Sequence, residues 1–115
     1  MSLSVAAAAF VAALHAVFFV MESLLWMSPK VMEIFGNTAE SASATRVMAL
    51  NQGFYNLGAA ALLVFFLVTA NTAGVMGVLL YLFAMGIVGA VTANWRIILV
   101  QSLPALVALA LVYRG

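Results

Sequence analysis

From Leu3 to Met27 the chain carries one charged side chain, Glu22, and three later runs, Val47 to Thr69, Gly74 to Ala93 and Ile97 to Tyr113, carry none at all. A helix that crosses about 30 Å of hydrocarbon needs ~20 consecutive, mostly apolar residues. Four such runs predict an all-α chain: an integral membrane, up-down-up-down four-helix bundle, with residues 1–115 as a single transmembrane domain. Composition supports the same reading, because 68% of the residues are apolar and only 6% are charged, against roughly 25% charged in an ordinary soluble domain. So little charge cannot cover a surface that faces water, whereas lipid asks for apolar side chains outside as well as inside.

The connections refine this picture. Ala70 to Ala73 and Asn94 to Arg96 are tight, and short links make consecutive helices antiparallel neighbours. Ser28 to Arg46 is the one long connection, and it holds Val31, Met32, Ile34 and Phe35 among Lys30 and Glu33, an amphipathic pattern suited to the headgroup boundary. Asn37 followed by Glu40 resembles a capping box, so the second long helix is expected to begin near Thr38 and to protrude before it spans. Pro104 has no amide hydrogen, which predicts a kink in the last helix and free carbonyls near Val100.

Basic residues set an orientation. Lys30, Arg46 and Arg96 lie on one side, with only Arg114 and the terminal amine opposite, so both termini are expected outside. Trp26 and Trp95 fall on the basic side and Tyr113 on the other, where they read as interface anchors. No Lys or Arg precedes the first apolar run, so that run is read as a retained helix and not as a secretory signal.

Several functions are set aside by what the chain lacks. Four basic and three acidic side chains give a net charge of +1, too little for a nucleic-acid partner. Absent cysteine removes disulfides, thiolate metal sites and cysteine nucleophiles. One histidine excludes a bis-histidine haem, and one His with one Glu falls short of the three protein ligands usual for catalytic zinc. There is no GxSxG, P-loop or glycine-rich nucleotide turn, so neither a cofactor nor a metal is expected.

The residues left to explain are polar ones at membrane depth. A charge there costs ~2.5–3.5 kcal/mol on insertion scales and calls for a partner or a purpose. His15 and Glu22 are two helical turns apart and share a face of the first helix. Asn51 with Tyr55, and Gln52 with Asn56, are each four apart on the second, and Gln101 opens the fourth. These residues suggest a polar chamber opening toward the basic side, made of Glu22, Asn51, Gln52, Tyr55, Asn56 and Gln101, with His15 deeper. Glu22 and His15 are the candidate catalytic pair, as proton donor and acceptor. A plainer reading stays open beside this one: amides at helix interfaces often only hold helices together, at ~0.6 kcal/mol each. The third helix adds Gly77, Gly86, Gly89 and Ala90, a small-residue pattern suited to packing within the chain or to a homodimer seam.

The sequence resembles a bacterial family of small membrane proteins known as domain of unknown function 1304. The resemblance rests on His15, the ESLLW stretch from Glu22 to Trp26, Pro29, Phe35-Gly36, NQGFYN from Asn51 to Asn56, and QSLPAL from Gln101 to Leu106. It covers nearly the whole chain. The family commonly has a Glu just before the histidine, where this chain has Leu14. The resemblance implies a four-helix protein of the bacterial inner membrane and supplies no activity. Three functions therefore stand open. The first is binding of a small lipophilic molecule with one polar end. The second is a cofactor-independent acid-base enzyme using Glu22 and His15, and the third a structural, accessory or transporter component.

Overall fold

A computed structural model describes all 115 residues, and every regular element in it is helical. Helix α1 runs Leu3–Phe19 and continues into a π-helical turn, Val20–Leu24; α2 is Pro29–Phe35, α3 Ala39–Val68 and α4 Thr72–Thr92. A second π-turn, Ile98–Ser102, leads into α5, Leu103–Arg114. Three of these helices are long and apolar enough to cross a membrane: Leu3–Leu24, Ala39–Val68 and Thr72–Thr92. The last apolar helix, Ile98–Arg114, is shorter than these three.

Local chemistry explains the boundaries. Ser28 caps α2 by accepting from the Val31 amide, Pro29 starts it, and Gly36 ends it with a left-handed backbone, φ 69°, where a residue without Cβ is favoured. Residues 29–35 are thus helical, as their amphipathic pattern suggests. The start of α3 falls at the expected place with a different partner. Ser41 N–H donates to Thr38 Oγ1 at 3.0 Å and Thr38 N–H donates to Ser41 Oγ at 2.9 Å. The reciprocal cap keeps the spacing of three but is shifted by one residue from Asn37 and Glu40. At 1.5 Å per residue, the 30 residues of α3 extend about 45 Å, well beyond one hydrocarbon thickness. Asn71 caps α4 through Oδ1, which accepts from Gly74 N–H at 2.8 Å.

The chain forms two compact units, one of Leu14–Ala59 and the other of Met1–Ala13 with Ala60–Gly115. In the second of these, α4 buries Val75, Leu79, Leu82 and Gly86, a stripe at spacings of four, three and four that marks one helical face. The facing helix buries Ser102, Ala105 and Ala108. Gly89 meets Ile97, Gly86 meets Ser102, and Met76, Gly77 and Leu80 share a groove with Leu106, Leu109 and Tyr113. Numbers that fall on α4 as they rise on α5 define an antiparallel hairpin. Pro104 takes the second position of α5, and the distortion expected from it is the π-turn just before, where Leu103 N–H reaches back to Ile98 O.

In Leu14–Ala59 the contacts run the same way: Phe19 packs on Phe54, with centroids 5.2 Å apart, and Trp26 bonds to Ala42 and Thr45. α3 buries Ala42, Ala49 and Gly53 in this unit, small residues that let helices approach closely. Its three helices form a hairpin closed by α2.

Candidate functional site

The hairpin of Leu14–Ala59 positions Glu22. It lies in the π-turn, where Leu25 N–H bonds to Val20 O at 3.0 Å, five residues back. Such a turn admits one extra residue and re-aims the side chains it carries. Ser23, the next residue, lies on α3 at Gly53 so closely that a Cβ there would overlap the serine hydroxyl and stand 3.0 Å from the Ser23 backbone nitrogen. Ser23 Oγ donates to Leu50 O at 2.9 Å. With the helices locked at this point, Asn56 Nδ2 donates to Glu22 Oε1 at 2.5 Å.

Beside this bond is a cavity of about 140 Å³ lined by Glu22, Ser23, Leu24, Trp26, Met27, Arg46 and Leu50. Trp26 walls one side and its orientation is fixed. Its Nε1–H is shared between Ala42 O at 3.0 Å and Thr45 Oγ1 at 3.2 Å, and its ring packs on Phe35 at 4.9 Å. The indole read from sequence as an interface anchor thus makes tertiary hydrogen bonds to α3.

Of the sequence candidates, the structure joins Glu22 and Asn56 directly. Asn51, Gln52 and Tyr55 are on the same helix but exposed, and none of them lines this cavity. His15 is 1% exposed, with its ring edge-on to Phe18 at 5.1 Å, and it too is absent from the cavity lining. Gln101 belongs to the other unit, where its Nε2 donates to Leu82 O at 3.0 Å, and the adjoining Ser102 Oγ donates to Phe83 O at 3.0 Å.

The sequence reading did not single out Ser23 or give Arg46 a role beyond orientation. The signal for Ser23 was a small polar residue beside Glu22, with Gly53 three residues before Asn56. For Arg46 there was none, because its approach to Glu22 depends on the pairing register of two helices.

The sequence profile of a family described as a protein of unknown function, DUF1304, matches residues 9–113. The chain belongs to that family. Neither the curated proteins nor the solved structures include a match to it. For this DUF1304 chain the motif residues have definite places: NQGFYN supplies Gly53 and Asn56 to the Glu22 hairpin, and QSLPAL supplies Gln101 and Ser102 to the α4–α5 hairpin.

Proposed function

We propose that this protein is an integral membrane protein that binds a small lipophilic molecule with a polar end at the Glu22 cavity. Exposed side chains support the membrane setting: Val47, Val68 and Val91 are 79%, 77% and 81% exposed, and Phe54, Phe65 and Leu80 each more than half. Water penalises such a surface by about 25 cal/mol per Å² and lipid does not. Three long helices and the shorter apolar Ile98–Arg114, with two tight connections, favour four crossings in an up-down-up-down bundle. The positive-inside count favours both termini on the outer side of a bacterial inner membrane.

One observation carries the binding reading. The one charged side chain of its helix, Glu22 is held at one oxygen by Asn56 and lines a cavity that Leu24, Trp26, Met27 and Leu50 share with Ser23 and Arg46. Structural glue would close that space, whereas a ligand site keeps it open.

Native mass spectrometry of the detergent-extracted chain tests this. The wild type is expected to carry a small molecule from the membrane that Glu22→Gln and Asn56→Ala proteins, folded normally by circular dichroism, carry in reduced amount. Equal retention in all three would remove the binding reading. Single cysteines introduced at Ser2 and Ser43 test the topology, since they should be labelled from opposite sides of sealed vesicles.

A further inference from the structure

The polar side-chain groups around the cavity can be counted to completion. Ser23 Oγ is committed to Leu50 O, Trp26 Nε1 to Ala42 and Thr45, and Asn56 Nδ2 to Glu22 Oε1. Two groups remain, one of each sign: Glu22 Oε2 and the Arg46 guanidinium. They line the same small cavity, yet no ion pair joins them. The cavity thus has one unpaired charge of each sign on residues that line it, and a molecule that satisfies both must bring a cation and an anion a short distance apart.

Apolar surface decides what else that molecule is. Leu24, Met27 and Leu50 line the cavity and are themselves 64%, 37% and 44% exposed, so the pocket drains onto a greasy exterior. A soluble zwitterion would leave those walls unused, and an amphiphile would cover them. The cation must also be compact and able to donate. A primary ammonium offers three N–H donors to Glu22 Oε2, while a trimethylammonium offers none and is bulkier than a cavity of about 140 Å³ favours.

We propose that this cavity holds the headgroup of an aminophospholipid, its primary ammonium on Glu22 and its phosphate on Arg46, with the acyl chains leaving over Leu24, Met27 and Leu50. The proposal rests on the membrane and ligand-binding reading above and names its ligand class. Two carbons separate ammonium from phosphate in an ethanolamine headgroup, which suits two charges that share one cavity without touching.

The test uses the full chain in nanodiscs of equal parts phosphatidylethanolamine, phosphatidylglycerol and phosphatidylcholine, released into native mass spectrometry. Wild type is expected to retain phosphatidylethanolamine about tenfold over each of the other two lipids, the ratio that one charge-assisted hydrogen bond gives. Glu22→Gln should bring the ethanolamine-to-glycerol preference to about one. Arg46→Gln, at an exposed position where the fold has little at stake, should lower retention of all three lipids together. Retention in bulk proportions by wild type, with a different membrane molecule lost on Glu22→Gln, would overturn the aminophospholipid and leave the broader binding reading standing. No retained molecule and no effect of either substitution would overturn both. Displacement of the lipid by an equal concentration of soluble phosphoethanolamine would overturn the membrane as its source.

Discussion

The two hairpins of this chain use the same device to different ends. In one, Glu22 and Ser23 lie in a π-turn packed on Gly53, and the serine donates to the carbonyl three residues before that glycine, Leu50. In the other, Gln101 and Ser102 lie in a π-turn packed on Gly86, and the serine donates to the carbonyl three residues before it, Phe83. Each consists of a polar residue, a serine and a widened turn against a glycine. The outcomes diverge at the polar residue. Gln101 is a donor and closes on Leu82 O, whereas Glu22 accepts from Asn56 and lines a cavity. One hairpin is thus complete by itself, and the other presents chemistry. A carboxylate in place of an amide is enough to make that difference, because it has no N–H to close on the facing backbone.

If the device is shared, removing the glycine should damage both hairpins alike, and by the most. A Cβ at position 86 would overlap the Ser102 hydroxyl and stand 3.0 Å from its backbone nitrogen, nearly the same geometry as at Gly53. Gly53→Ala and Gly86→Ala are each expected to lose ~1–3 kcal/mol by overpacking, measured by chemical unfolding in detergent. Adding Ser23→Ala or Ser102→Ala should restore part of that loss, since the hydroxyl is the worst obstacle but not the only one. A glycine substitution that is harmless in one hairpin would break the equivalence.

The divergence is tested by exchanging the polar residues. Gln101→Glu removes the donor to Leu82 O and sets carboxylate oxygens against that carbonyl, so a loss of ~1–3 kcal/mol is expected. Glu22→Gln keeps an oxygen for Asn56 Nδ2 and should change stability by less than ~1 kcal/mol. Equal losses would mean that Glu22 is structural in the same sense as Gln101. Trp26→Phe belongs to the first hairpin alone and has no counterpart in the second. It removes the donor shared by Ala42 and Thr45 and should cost ~1 kcal/mol, with a weaker lipid signal because the cavity wall is no longer pinned.

How much of this the sequence disclosed follows from what each feature depends on. The long apolar helices and the start of α3 were legible, because run length, capping residues and the short connections are local signals. Asn56 and Glu22 were legible as polar residues at matching depth, but which of Asn51, Gln52, Tyr55 and Asn56 turns toward Glu22 was not. All sides of these helices are similarly greasy, so no apolar stripe reveals the rotation of the helix about its axis. Small residues were the better guide, since Ala42, Ala49 and Gly53 mark the face that α3 buries in this unit. The π-turns escaped because VMESL and ILVQS look like ordinary helix, and only Pro104 hinted at the second. The plainer reading of amides as helix glue describes Gln101 well, down to its bond to a facing carbonyl.

The serines provide the finest comparison. Ser102 is 1% exposed, while Ser23 is half-buried and its hydrogen bond to Leu50 is open to its surroundings. A bond sealed from competing partners is stronger, since the local dielectric is low and the alternative is an empty donor. Both carbonyls lie within helices, so deleting a hydroxyl removes only the interhelical bond and strands no acceptor. Ser102→Ala is therefore expected to lose ~1 kcal/mol and Ser23→Ala a few tenths of a kcal/mol, read as a difference between two unfolding midpoints under identical conditions. A larger loss at Ser23 would place the tighter lock at the hairpin that bears the cavity. The Glu22 site would then be the rigid part of the molecule, and a ligand would have to enter without parting the helices there.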